Sequence, residues 1–186
     1  MKIGIIRIGK VDSNVISSIQ ENLNMTFLKS KCILIPNTLP IPEEAFNIAR
    51  QQYSSNNILT TIRNYAERQK TIDKILGITD IDIFVPNLTF VLGEAECPGK
   101  AALVSLWRLR PEFYKQPSNI ELFAARRTKE AVHELGHTLG LRHCSNPFCV
   151  MYFSNSIFET DRKQSLFCSK CYSEVEKIVD SLGGYP

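Results

Sequence analysis

All three histidines of this 186-residue chain fall in one eleven-residue window, His133-Glu134-Leu135-Gly136-His137-Thr138-Leu139-Gly140-Leu141-Arg142-His143. Ordinary core or surface packing does not concentrate histidine in this way. His133 and His137 stand four residues apart, so on a helix they project from one face a turn apart, with Glu134 about 100° around from His133. This is the HExxH zinc-site pattern. Gly140 tolerates a positive φ, so the helix can end there and the chain can turn to bring His143 back toward the same point. Three imidazoles on one Zn²⁺ leave a fourth position for water, which is the arrangement of a catalytic zinc. An isolated HExxH has accidental matches and glycine ends many helices. The weight therefore rests on the whole HExxHxxGxxH pattern, whose fixed positions are all filled.

A second ligand pattern begins at the next residue. Cys144 and Cys149 form C-x4-C, Cys168 and Cys171 form C-x2-C, and eighteen residues separate the pairs. Four thiolates so spaced make a closed tetrahedral zinc site, which is structural. The alternatives are two disulfides, one disulfide with two free thiols, or a redox C-x2-C. The lack of a secretory pattern argues against disulfides, and no strand of a βαβ unit precedes the C-x2-C. Cys32 lies in an apolar run and reads as a buried thiol, whereas Cys97, in Glu96-Cys97-Pro98-Gly99, reads as part of an exposed turn.

With the histidine motif joined directly to the cysteine cluster, from His133 through Cys144 to Cys149-Val150-Met151 and Cys168-Ser169-Lys170-Cys171, the sequence resembles the archaemetzincins. Flanking segments share the resemblance: Gly77-Ile78-Thr79-Asp80-Ile81-Asp82-Ile83-Phe84, Arg127-Thr128-Lys129-Glu130-Ala131 and Phe153-Ser154-Asn155-Ser156. The similarity runs from about Ile72 to Cys171. It implies a compact zincin-like α/β fold, one catalytic and one structural zinc, and Met151 as the methionine beneath the catalytic metal. Metzincins that place a tyrosine near the metal carry it two positions after that methionine, where this chain has Phe153, so no transition-state donor is evident. The resemblance also implies that Leu88 to Leu92 is the antiparallel edge strand bordering the cleft.

The length suits one domain, with residues 1–140 supplying sheet and helices up to the histidine helix and residues 141–186 a short zinc-stabilised C-terminal part. A net charge of +3, without any block of like charges, gives no sign of a nucleic-acid module. No apolar run is long enough to cross a membrane, and Met1 to Gly9 is broken by Lys2 and Arg7 and alternates like a strand, so the expectation is a cytoplasmic monomer. Arg108, Arg110, Arg126, Arg127 and Lys129 read as a solvated basic face around the histidine helix.

Pattern and punctuation predict strands over 2–8 and 32–36, a helix over 11–27 opened by Asp12 or Ser13, and a short helical stretch after Pro42. A helix is predicted over 57–76 with Gly77 as its stop, followed by strands over 81–85, 88–92 and 101–107. Ser118-x-x-Glu121 reads as a capping box opening the histidine helix, whose apolar stripe would be Ala125, Val132, Leu135 and Leu139. A last helix is expected over about 169–182. The result is a mixed sheet of about five strands packed on helices.

In chemical terms, Glu134 is placed to take a proton from a water activated by the zinc and return it to a leaving amine. The reading is a zinc metallopeptidase acting on short or unfolded peptides. The alternative is a non-catalytic zinc-binding or interaction protein that keeps the fold, although an intact Glu134 favours the enzyme.

Overall fold

The structure, a computed structural model, describes residues 1–183. In chain order the elements are β1 (Lys2–Ile8), α1 (Ser13–Thr26), β2 (Lys31–Leu39), β3 (Phe46–Asn47), β4 (Gln52–Ser54), α2 (Ser55–Arg68), β5 (Lys74–Thr79), β6 (Ile83–Phe84), β7 (Gly93–Ala95), β8 (Ala101–Ser105), α3 (Ile120–Thr138), α4 (Ile157–Arg162) and α5 (Ser169–Ser181). Five strands form one sheet in the order β2-β1-β5-β8-β7; all pair in parallel except β7, which runs antiparallel along one edge. A separate small sheet joins β3, β4 and β6. Among the described residues, no helix is long and apolar enough to cross a membrane.

Period-2 alternation divides the side chains of the central strands between two cores. Ile3, Ile5, Leu76, Ile78, Ala102 and Val104 face a core shared with α1, α3 and the C-terminal part. Ile6, Ile8, Ile75, Ala101 and Leu103 face a second core closed by Ile58, Leu59, Ile62 and Ala66 of α2. The Asp12 carboxylate accepts from Asn14 N at 2.7 Å and caps α1, and the stretch after Pro42 forms a single 3-10 turn, both at the expected places.

The expected helix over 57–76 ends instead at Arg68, and Lys74–Thr79 is the central strand β5. Ile72 and Ile75 continue the helical spacing of α2 by coincidence, and no glycine or proline marks the break. A strand with helices on both faces is apolar throughout and carries no alternation to identify it. Gly77 therefore sits within a strand, where an added methyl would overlap Ile62 Cδ1, so glycine allows α2 to approach the sheet. The edge strand also moves, from the expected 88–92 to Gly93–Ala95; of the earlier segment only Val91 makes a bridge, to Ile83. Asn119 rather than Ser118 caps α3, its Oδ1 accepting from Leu122 N at 2.9 Å. Ala125 is exposed, and the face that packs on the sheet is Ala131, Val132, Leu135 and Leu139.

Gly77→Ala should cost about 1–3 kcal/mol of stability by overpacking. Chemical denaturation would measure this, and shortening the opposing side chain in Gly77→Ala/Ile62→Val should recover part of the loss.

Candidate metal centres and the cleft beside the histidines

Helix α3 ends at Thr138, and Gly140 adopts a φ of +89°, the left-handed conformation that a β-carbon disfavours. Two groups from neighbouring segments hold this end in place. The Lys74 ammonium donates to Thr138 O at 2.7 Å and Gly99 O at 2.6 Å, while Gly99 N donates to Thr138 O at 3.1 Å. Leu141 then buries itself in the core and the chain reverses, bringing the His143 ring to 5.4 Å from that of His133 and 4.9 Å from that of His137.

The donor atoms are oriented as well as gathered. His133 Nδ1 lies 2.8 Å from Val150 O and His137 Nδ1 lies 2.7 Å from Leu141 O, so each Nδ1 carries the proton and donates to a carbonyl. Both Nε2 lone pairs are left facing the same point, 3.1 Å apart. Two nitrogens on a tetrahedral zinc, with bonds of about 2.0–2.1 Å, stand about 3.3 Å apart, so the pair fits that ion. Burial first, and the nearby Lys163 charge after it, holds the basicity of His133 well below the usual imidazole range. Burial likewise lowers His137 and His143, favouring the neutral form that ligates metal.

The four cysteines converge in the same manner. Cys144 Sγ and Cys168 Sγ are 3.8 Å apart, far beyond a disulfide bond and equal to the edge expected for bonds of about 2.3 Å to a tetrahedral zinc. None of the six cysteines is in a disulfide. Backbone N–H groups point at the sulfurs, Cys168 N to Cys149 Sγ at 3.3 Å and Asn146 N to Cys144 Sγ at 3.5 Å. Cys168 caps α5, and the N–H of Cys171 with the neighbouring thiols lowers its pKa to about 7. In both groups the donor atoms lie within 4.8 Å of one another, so each can hold one ion. Cys32 is buried, its thiol raised to about 12 by desolvation, and Cys97 is exposed, both as expected.

Met151 is fully buried and its sulfur lies against Gly136, at the middle of the histidine motif, where an added methyl would overlap it. A cleft of about 480 Å³ opens beside the imidazoles, bordered by residues 88–95 on one side and by Phe153, Ser154 and Asn155 on the other. Glu134 is buried at its edge, and an added methyl on Gly93 would come within 2.5 Å of Oε1, so the carboxylate rests against the β7 backbone. Desolvation, reinforced by Glu130, raises the Glu134 carboxyl well above the usual carboxylate range.

The expected basic rim does not exist. Arg126, Arg127 and Lys129 are buried, and the pairs Arg126–Asp161, Arg108–Asp82 and Arg110–Asp80 close at 2.7, 2.6 and 2.5 Å. Arg127 donates to Ser18 Oγ at 2.9 Å and the Lys129 ammonium to Thr160 O and Asp161 O, so all five cations tie segments together instead of facing solvent. Sequence reasoning also missed Gly93, Glu130 and Lys163 at the cleft. The last two lie 33 residues apart in sequence, and no local spacing joins them.

The model of peptidase family M54 matches residues 7–177 of the chain. The archaemetzincin of Methanocaldococcus jannaschii is 42% identical over 176 residues, covering 95% of this chain and 93% of that protein. Among solved structures, the archaemetzincin of Methanopyrus kandleri superposes with a TM-score of 0.82 at 35% identity, covering 97% of this chain and 96% of that one. A zinc-dependent peptidase of Methanocorpusculum labreanum gives a TM-score of 0.83 at 29% identity, with 93% and 99% covered.

Because Met151 packs on Gly136, one residue before His137, Gly136→Ala should lower stability by about 1–3 kcal/mol and also weaken metal binding at the histidines. Thermal denaturation with and without zinc would show both effects, the stabilisation by added metal being smaller in the variant.

Proposed function

The chain belongs to peptidase family M54, the archaemetzincins, and is a zinc-dependent metallopeptidase; from that premise we propose that His133, His137 and His143 hold its catalytic zinc, that Glu134 is its base, and that Cys144, Cys149, Cys168 and Cys171 hold a second, structural zinc. The observation that carries this reading is the pair of Nε2 lone pairs 3.1 Å apart, aimed by carbonyls and opening on a cleft edged by a buried carboxylate. Bound there, zinc would supply a Lewis acid that lowers the pKa of water and polarises a carbonyl oxygen.

The remaining steps fall to the chain. Glu134 takes a proton from the attacking water and returns it to the leaving amine. Gly93 leaves room for that carboxylate. Met151 supports the helix from below, and the fixed Nδ1–H donors keep the imidazoles from rotating. The substrate lies extended along the free edge of β7 and is bound mainly through its main chain, which favours short or unfolded peptides over folded proteins. All seven ligands come from one chain, and residues 141–183 share the core of α1 and β1; we therefore read a single domain acting as a cytoplasmic monomer, without nucleic acid or membrane.

Metal analysis should find two zinc equivalents per chain, one of which a mild chelator removes without unfolding the protein. Digestion of an unbiased peptide library should be lost in Glu134→Gln while zinc is retained, and sharply reduced in Gly93→Ala, where the added methyl displaces the carboxylate. Cys168→Ser should lower both stability and zinc content, because a structural metal contributes folding free energy directly. Unchanged melting and metal content in that variant would exclude the four-cysteine site.

A further inference from the structure

Hydrolysis of an amide puts negative charge on the carbonyl oxygen as the water oxygen bonds to carbon, and donors fixed where that charge develops contribute heavily to rate. Phe153, ring to ring 4.8 Å from His143, borders the cleft with no donor to offer. Arg142 and Asn155 border it too but are exposed, and water screens them. Lys163 is different. Its side chain is 1% exposed yet borders the same cleft. Its ammonium lies 3.0 Å from Glu130 Oε1 and donates to Tyr152 O at 3.5 Å, and since an ammonium has three N–H donors, one remains for a ligand. Ser154 borders the same cleft, and its Oγ is buried without a hydrogen-bond partner among the described residues. A buried hydroxyl with no partner carries a desolvation cost that an arriving acceptor relieves.

We propose that Lys163, with Ser154 as a second donor, is a catalytic residue that receives the negative charge developing on the scissile carbonyl oxygen. The water oxygen bonds to the carbonyl carbon, one water proton passes to Glu134, and the carbon–oxygen π pair moves onto oxygen. Lys163 and Ser154 donate hydrogen bonds to that oxygen and keep their protons. Collapse reforms the carbonyl, breaks the carbon–nitrogen bond and sends the proton on Glu134 to the amine. Glu130 holds the ammonium in place between turnovers, and burial makes the same charge act more strongly than it would in water.

The proposal rests on the site reading above. It can be tested without turnover by phosphinic peptides, whose tetrahedral anion mimics the transition state. Calorimetry on zinc-loaded protein would compare wild type with Lys163→Met, Glu130→Gln, Lys163→Met/Glu130→Gln and Ser154→Ala. Lys163→Met alone strands a buried carboxylate and can unfold the chain, whereas the double variant removes both charges at similar volume. The double variant should keep its zinc and bind the phosphinate about a hundredfold more weakly, with Ser154→Ala about tenfold weaker. Its affinity for the matching amide peptide, measured with Glu134→Gln added, should change by less than about threefold. Glu130→Gln alone keeps the ammonium and an oxygen that can accept from it, so its loss of affinity for the phosphinate should be at least about tenfold smaller than that of the double variant. Equal losses in Glu130→Gln and Lys163→Met, or wild-type affinity in the double variant, would make the pair a structural tie between α4 and α3 and overturn the proposal. Failure of zinc-loaded wild type to bind the phosphinate would instead overturn the site reading on which it stands.

Discussion

The hydrogen bond from His133 Nδ1 to Val150 O is the interaction on which the arrangement turns. Val150 sits between Cys149, one of the four convergent sulfurs, and Met151, whose sulfur packs on Gly136. Its carbonyl therefore fixes His133 only if the cysteine loop is itself fixed. The loop is closed by Cys144 N donating to Met151 O at 2.9 Å and by Val150 N donating to Leu166 O at 3.1 Å. His137 is oriented separately, through Leu141 O in the turn that ends α3, where Leu141 N donates to Gly136 O at 3.1 Å. The carbonyl that orients His133 thus belongs to backbone that the cysteine cluster gathers, and the one that orients His137 to the end of the histidine helix itself.

A second constraint is electrostatic. Arg126, Lys129, Glu130, His133, Glu134 and His137 fall at helical spacing and make one polar stripe along α3, opposite the apolar face that packs on the sheet. At the N-terminal half of the stripe, the end of α4 covers it. Asp161 pairs with Arg126 at 2.7 Å, the Lys129 ammonium donates to Thr160 O and Asp161 O, and Lys163 pairs with Glu130 at 3.0 Å. Buried charges of this kind are tolerable only when each is paired, and removing one member strands the other. At the C-terminal half the covering segment has passed, and the stripe opens into the cleft. The same helix face is structural at one end and reactive at the other.

The candidate site was far more legible in the sequence than the sheet that carries it. Histidine spacing on a helix and cysteine spacing around a metal follow from local geometry, so the seven donor residues could be grouped without any knowledge of the fold. The central strand β5 could not be found that way, because Ile75-Leu76-Gly77-Ile78 is buried on both faces and continues the helical spacing of α2. The edge strand was displaced for a related reason. Leu88 to Leu92 has the better strand composition, but Gly93 is what the space beside Glu134 requires, and that requirement exists only once α3 is packed on β8. The basic residues misled most. Arg126, Arg127 and Lys129 resemble a solvated face until Asp161, Thr160 and Ser18 are brought against them from distant parts of the chain.

The two donor clusters stand close together because Cys144 is bonded directly to His143, so one backbone segment serves both. Val150, Ile157, Val175 and Val179 tie the segment that follows into the main core, while Phe148, Phe153, Phe158 and Leu166 remain exposed. Between them the chain is drawn together by the convergence of four sulfurs, anchored to α5 through Cys168 and Cys171, and by Met151 seated on Gly136. An ion held there, as proposed, would add to that packing, because its binding free energy depends on ligand geometry rather than on buried area. This segment offers the cleft only Phe153, Ser154, Asn155 and Lys163, and on the proposed reading recognition of substrate therefore falls chiefly to the free backbone edge of β7 on the opposite side.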